Sequence, residues 1–297
     1  MNPHVLSDLP SNARGVTAET LTAAVQASFA VGAQSPRLTA LLRLLVQYLH
    51  AFVREGAVTH EEWRAGLEFL TACGRITTAE RNEFSLLSDI LGVSSMVDLL
   101  THQPGVTPGS VLGPFHNHDS RVVPNGADLI CGQEGDATLF TGEVIDVQGK
   151  PVAGAEIDFW QNAANAFYPA QDAAQDPHNL RCKMQCDDNG RFVIKTVRPQ
   201  PYTVPYDGPV GAVLTATERH CWRPAHFHLI VRAAGYRSLV TEIFAADDPH
   251  IESDAVFGVR PGLAIRFETI DDVKAAAEHG LPVPFVQAKF QIRLAAG

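Results

Sequence analysis

The apolar residues of this chain change their spacing once, near residue 105, and that change limits the folds open to it. Before it they recur at helical intervals. Leu38, Leu41, Leu42, Leu45, Val46, Leu49, Phe52 and Val53 follow i, i+3, i+4, i+7 spacing and make a wide apolar face. Thr59-His-Glu-Glu62 and Thr77-Thr-Ala-Glu80 fit the S/T-x-x-E capping pattern and predict helix starts, while Gly92 after "EFSLLSDIL" predicts a stop. With the segment from about Thr17, four or five helices are expected.

After "HQPGVTPGSVLGP" the period is two. "FVQAKFQIRL" alternates strictly, with Val286, Ala288, Phe290, Ile292 and Leu294 on one face. "AEIDFW" and "RFVIKTV" read as shorter strands, and "DDNG" at 187–190 carries the Asn-Gly signal of a tight hairpin turn. The expected class is α+β: a helical part over 1–105 joined to an antiparallel β-sandwich over 106–297. The apolar helix faces are expected to be plain core.

Composition narrows the partners. A formal charge of -10 argues against nucleic acid, which wants a basic surface. Five cysteines, an odd number, do not form a disulfide framework, and CxxxC at Cys182 and Cys186 lacks a second pair to complete a zinc site. Reduced thiols in a cytoplasmic protein are expected. "MNPHVLSDLPSNARG" has no apolar stretch behind a basic start, so no signal peptide is expected. Arg43 and Arg54 interrupt the most apolar helix, so no membrane span is expected either.

The chemistry concentrates in "CWRPAHFHLIVRAAG". His226 and His228 stand two apart on a predicted strand, so their side chains share a face with Cα atoms roughly 6.6 Å apart. They can converge on one metal, or simply hydrogen-bond in a polar pocket. Of five tyrosines, Tyr168, Tyr202 and Tyr206 precede the pair in Pro- and Gly-rich loops. Phenolate with imidazole suits iron(III) better than zinc. A two-His, one-carboxylate iron(II) site would be expected to show a carboxylate beside the pair, and no HxD or HxE is present.

These segments resemble the intradiol ring-cleaving dioxygenases. "GPFH" (113–116), "AFYPAQ", "PYTVPYDGPVG" and "WRPAHFHLIV" follow that family's order and spacing, and "NEFSLLSDILGVSSMVDLL" is similar to its N-terminal region. The resemblance implies one non-haem iron(III) per chain, held by Tyr168, Tyr202, His226 and His228. It implies an aromatic diol and O₂ as substrates. Tyr202 would leave the metal and take a substrate proton. Tyr206 lies outside the matched ligand position and reads as a pocket-edge residue. Arg223 would be the fixed cation beside the site, where charge develops. A helical dimerisation domain in a homodimer is implied too, in some relatives with a lipid at the helical interface.

Substrate-wall positions carry over as Leu86, Asp89, Val111, Leu112, Gly113, Pro114, Phe115, Val204 and Pro205, with Arg223. The loop after Tyr202 and "DPHIESDAVFGVRPGL" resemble the hydroxyquinol (1,2,4-trihydroxybenzene) branch most, which implies 3-hydroxy-cis,cis-muconate/maleylacetate as product. Catechol or chlorocatechol cleavage is the alternative. Two departures stand out: Glu242, where catechol enzymes often have Gln, and Leu112, where hydroxyquinol relatives commonly have an aromatic residue. A rival class is a non-catalytic, transthyretin-like binding module, suggested by "GKPVAGAEIDFW". A zinc hydrolase would need a carboxylate base beside its metal.

Overall fold

The computed structural model describes residues 15–29, 35–78 and 81–297. Helices occupy the first part: α1 (Leu21–Ser28), α2 (Pro36–Glu55), α3 (His60–Ile76), α4 (Glu83–Ile90) and α5 (Val93–Thr101). Ser35 caps α2 by accepting from the Leu38 N–H, with Pro36 in the first turn, where its missing N–H costs nothing. The Thr59 capping box forms: Glu62 Oε2 accepts from the Thr59 N–H at 2.8 Å, and Thr59 Oγ1 from the Glu62 N–H at 3.2 Å. Ala79 and Glu80 of the second expected box lie outside the described residues. Asn82 caps α4 instead, its side chain accepting from Phe84 and Ser85. Gly92 stands after α4 in the left-handed region, the stop expected of it. Among the described residues no single helix is long and apolar enough to cross a membrane.

By contact the chain forms two compact units, 1–70 and 71–297. The division drawn at 105 follows the change of secondary structure, which falls after α5. In the first unit α1 meets α2 through paired bonds between Gln26 and Arg43 and between Thr22 and His50. The expectation that the α2 stripe is plain core is corrected: no α2 residue is buried. Leu49 is 52% and Phe52 64% exposed, because α1 engages polar positions of α2 and leaves the apolar stripe uncovered.

In the second unit the strands are β1 (Ala137–Asp146), β2 (Glu156–Trp160), β3 (Arg181–Gln185), β4 (Arg191–Val197), β5 (Tyr202–Thr203) and β6 (Trp222–Arg223). They continue as β7 (His226–Arg232), β8 (Leu239–Ala245), β9 (Ala264–Ile265), β10 (Phe267–Ile270) and β11 (Phe285–Leu294). Helices α6 (Pro209–Ala216) and α7 (Val273–His279) lie between them in sequence. One sheet runs β10-β11-β1-β4 and the other β3-β2-β7-β8-β9; β5 and β6 form a separate ribbon. Most pairs are antiparallel as expected. However, β1 with β11 and β8 with β9 run parallel, since their partners are brought in by crossovers rather than hairpins.

The sandwich core is where period-two alternation sends its apolar residues. Phe140, Phe192 and Ile292 of one sheet meet Phe159, Phe227 and Ile243 of the other. Phe140 and Phe227 stack with centroids 4.7 Å apart. "DDNG" does turn the chain, with the Gly190 N–H bonded to the Asp187 carbonyl, but it is not a hairpin. This corrects the expectation: β3 and β4 belong to different sheets, so the turn is a corner between layers. Gly190 has φ +72°, and a Cβ there would stand 2.4 Å from the Val144 carbonyl oxygen. Gly190→Ala is therefore expected to lower unfolding free energy by about 1–3 kcal/mol in urea melts. An unchanged midpoint would show the corner tolerates a side chain.

Candidate active site

Strand β7 is buried on both faces. Phe227, Leu229 and Val231 enter the sandwich core, so alternation turns His226, His228 and Ile230 to the other side. Loops cover that side. Tyr168 precedes a 3-10 turn (Pro169–Gln171), Tyr202 opens β5, and Phe115 comes from the segment before β1; with Trp160 and Ile230 they form a second buried cluster. The sheet register sets the neighbours of His228, with Trp160 opposite it on β2 and Glu242 opposite it on β8. Trp160 stacks on the His228 ring at 4.7 Å and 5°.

Three donor atoms converge there. His226 Nδ1 lies 2.6 Å from the Pro224 carbonyl oxygen, so that nitrogen carries the proton and Nε2 keeps its lone pair. His226 Nε2 is 3.0 Å from His228 Nε2, which is 3.1 Å from the Tyr168 hydroxyl oxygen. The Tyr202 ring lies 5.2 Å from that of Tyr168 and 5.5 Å from that of His226. His228 Nδ1 is buried with no hydrogen-bond partner. Burial lowers the basicity of both imidazoles, His226 to about 4, and neighbouring positive groups lower His228 further. Both are therefore neutral, the form a metal takes. Adjacent donors about 2.1 Å from one ion at a right angle stand about 3 Å apart, the spacing found here. The donor set fits a metal ion.

Burial also raises the Tyr168 and Tyr202 phenols and so favours their protonated form. A bound trivalent cation would have to displace those protons.

Arg223 faces Tyr202 across the β5–β6 ribbon. Its guanidinium donates to Glu242 at 2.6 and 3.0 Å and to Asp254 at 3.0 Å twice, and its Nη1 lies 3.3 Å from His226 Nε2. Burial works against its charge, but Asp254 and Glu242 more than offset that and hold it firmly protonated. For Glu242, burial favours the acid, and Arg223 overrides it to keep the carboxylate ionised. Ser110 reinforces this with a hydroxyl 2.6 Å from Glu242 Oε2.

His226, His228 and Glu242 together form a buried group whose donor atoms lie within 4.8 Å of one another. The missing HxD or HxE was therefore no sign that the histidines lack a carboxylate neighbour. It comes from the next strand, visible only once β7 and β8 are in register. Asp254, Ser110 and Trp160 were also missed as site residues; only "ESDAVFGV" had drawn notice to the stretch around Asp254.

An open cavity of about 940 Å³ reaches the site. Of the expected wall residues, Phe115, Val204 and Pro205 line it together with Tyr202, and Tyr206 is also in its lining. Phe115 also stacks on Tyr168 at 4.6 Å. Gly113 is packed on His228: a Cβ there would lie 3.1 Å from His228 Cε1. Leu86, Asp89 and Val111 are buried outside that cavity wall, Pro114 is partly buried, and Leu112 is 42% exposed. Burial pushes the Asp89 carboxyl up to about 6, and the Arg223, Glu242 and Asp254 charges act on it.

A buried imidazole pair beside two buried phenols, one of which (Tyr202) lines the open cavity, is a donor set that a metal ion would fit. The chain belongs to the intradiol ring-cleaving dioxygenases. Residues 112–296 match the family model described as "Dioxygenase", and 35–106 that for "Catechol dioxygenase N terminus". It is similar to the hydroxyquinol 1,2-dioxygenase of Rhizobium sp. (strain MTP-10005), 43% identical over 248 residues, 82% of this chain and 84% of that protein. The catechol 1,2-dioxygenase of Candida albicans is 37% identical over 244 residues, 80% of each chain. The crystal structure of hydroxyquinol 1,2-dioxygenase from Pseudomonas putida DLL-E4 superposes with a TM-score of 0.83 at 39% identity, covering 94% of this chain and 99% of that one. The family match sets aside the binding-module and zinc-hydrolase readings.

Proposed function

We propose that this dioxygenase cleaves hydroxyquinol between its vicinal hydroxyl-bearing carbons, giving 3-hydroxy-cis,cis-muconate/maleylacetate, with one iron(III) per chain held by Tyr168, Tyr202, His226 and His228. The convergence of the His226, His228 and Tyr168 donor atoms, each step 3.0–3.1 Å, carries the reading. When bound, ferric iron withdraws electron density from a chelated diol and so activates the ring toward O₂. The chain's residues do the rest. Tyr202 stands between the buried cluster and the cavity wall, where its phenolate oxygen can take a proton from an entering diol. Arg223 is a fixed cation in a buried site, held in orientation by two carboxylates, and acts where negative charge grows. Phe115, Val204 and Pro205 give the ring an apolar wall. Asp89 is buried outside that wall but within the field of Arg223 and Glu242, so it is the candidate to recognise a third ring hydroxyl that reaches past the wall toward Arg223.

The higher identity to the Rhizobium hydroxyquinol enzyme, 43% against 37% for the Candida catechol enzyme, favours hydroxyquinol over catechol. The exposed apolar stripe of α2 supports a homodimer through the helical part, and it is also what an acyl chain at that interface would need. Five free cysteines support a reducing, cytoplasmic setting.

O₂ uptake by the iron-loaded protein with hydroxyquinol, catechol and 4-chlorocatechol side by side tests the substrate. Hydroxyquinol is expected to turn over fastest, and Asp89→Asn to lose on the order of tenfold in kcat/KM for hydroxyquinol while sparing catechol, as weakening a charge-assisted hydrogen bond to a neutral one by ~1.5 kcal/mol would give. A catechol preference in the parent enzyme would overturn the substrate assignment and leave the iron chemistry standing.

A further inference from the structure

The buried charges around Arg223 do not balance. One guanidinium serves two carboxylates, Glu242 and Asp254, each within 3.0 Å of it, and all three groups are buried. The network thus carries one net negative charge in a place closed off from bulk solvent. An unpaired buried charge is costly and persists where another cation offsets it. The network touches the histidines directly: Glu242 Oε1 lies 3.4 Å from His226 Nε2 and 3.4 Å from His228 Nδ1, and Arg223 Nη1 3.3 Å from His226 Nε2, so neutralising Glu242 changes the charge beside both rings. Gly258 makes room for the arrangement, since a Cβ there would fall 2.8 Å from Glu242 Oε2.

We infer that Glu242 is the charge partner of the metal centre, holding it in the ferric state without being one of its ligands. This rests on the iron(III) reading above. A ferric ion with two phenolates carries one net positive charge, which the one net negative charge of the Arg223 network cancels. A ferrous ion in the same ligands would leave the buried site negative, so the network opposes reduction. Glu242 is unsuited to be a ligand because its oxygens are already held by Arg223 and Ser110. A glutamine at this position would keep the shape and the bond to Arg223 but leave the ferric centre with an uncancelled positive charge. A unit charge about 6 Å away at an effective dielectric near 20 alters such an equilibrium by about tenfold or more.

The test is the reduction potential of the iron-loaded holoenzyme, read from its visible phenolate-to-iron band during electrochemical titration. Glu242→Gln is expected to bind iron, keep the band and favour the ferrous state about tenfold or more over the parent, which for a one-electron couple is a rise of about 59 mV per tenfold. Asp254→Asn removes the same charge from the far side of Arg223 and is expected to shift the potential in the same direction by less. It serves alone if Glu242→Gln does not fold. An unchanged potential in the folded variant would overturn the inference. Loss of iron from a folded Glu242→Gln protein would do so too, by making Glu242 a ligand. Failure of the iron(III) reading is separately visible, as a parent enzyme without the band; the inference falls with it.

Discussion

His228→Ala is expected to retain almost no iron and to lose ring cleavage to background. Three things depend on this one ring. Its Nε2 is the middle atom of the His226–His228–Tyr168 chain, so its removal leaves two donors with no common centre. Its face is the stacking partner of Trp160, and its strand partner is Glu242. Loss of a group that merely orients a ligand costs about 10–100-fold in metal affinity, and loss of a ligand costs more. Iron per chain after dialysis, measured with O₂ uptake, checks it. The stacked packing makes a stability cost of about 2–3 kcal/mol normal for a buried side chain of this size, so a folded but iron-free protein is the expected product. Iron retained at parent level, with activity, would remove His228 from the metal centre.

The second large effect is on stability. Arg223→Met is expected to cost about 3–5 kcal/mol, the usual penalty for taking one partner from a buried ion pair. The methionine fills much of the space but leaves Glu242 and Asp254 with no cation between them. The pH dependence should reverse as well. In the parent Arg223 keeps the Glu242 carboxyl below its ordinary value. That contribution is present above about pH 4.5 and fades as pH falls through the lowered folded value. Without Arg223, burial, the largest influence on Glu242, is opposed only by His226 and the Ser110 hydrogen bond and raises it, so the variant should gain stability as pH falls toward 4.5. Urea melts of both proteins from pH 7 to pH 4.5 would show converging midpoints. Parallel curves, or a loss below about 1 kcal/mol, would mean the network relaxes or takes in water when Arg223 leaves.

Much of this was legible in the sequence, for physical reasons. Period-two alternation in "FVQAKFQIRL" identified a strand because one face of it meets a core, and Val286, Ala288, Ile292 and Leu294 are all buried. The HxH spacing put two imidazoles on one face for the same geometric reason, and the tyrosines could be named because their motif is local. What depended on pairing was not legible. Glu242 was flagged only as a departure in type, since its place beside His228 is a matter of register between β7 and β8. Asp254 reaches Arg223 and Ser110 reaches Glu242 from distant loops, and no local pattern marks those contacts. "DDNG" announced a turn correctly, but a turn signal does not say whether the next strand returns beside its predecessor or crosses to the other sheet. The α2 stripe showed amphipathicity without naming what covers it. Leu86 and Asp89 share one helix face as their spacing required, and both are buried.

The central claim is that Tyr168, Tyr202, His226 and His228 hold ferric iron. The visible absorption spectrum of the iron-loaded protein, recorded beside Tyr168→Phe at equal protein concentration, tests it most directly. The expected result is a red parent with a broad phenolate-to-iron(III) band, and a variant in which that band is weakened and shifted because one phenolate has gone. A colourless parent that binds iron, or a Tyr168→Phe spectrum identical to the parent's, would contradict it.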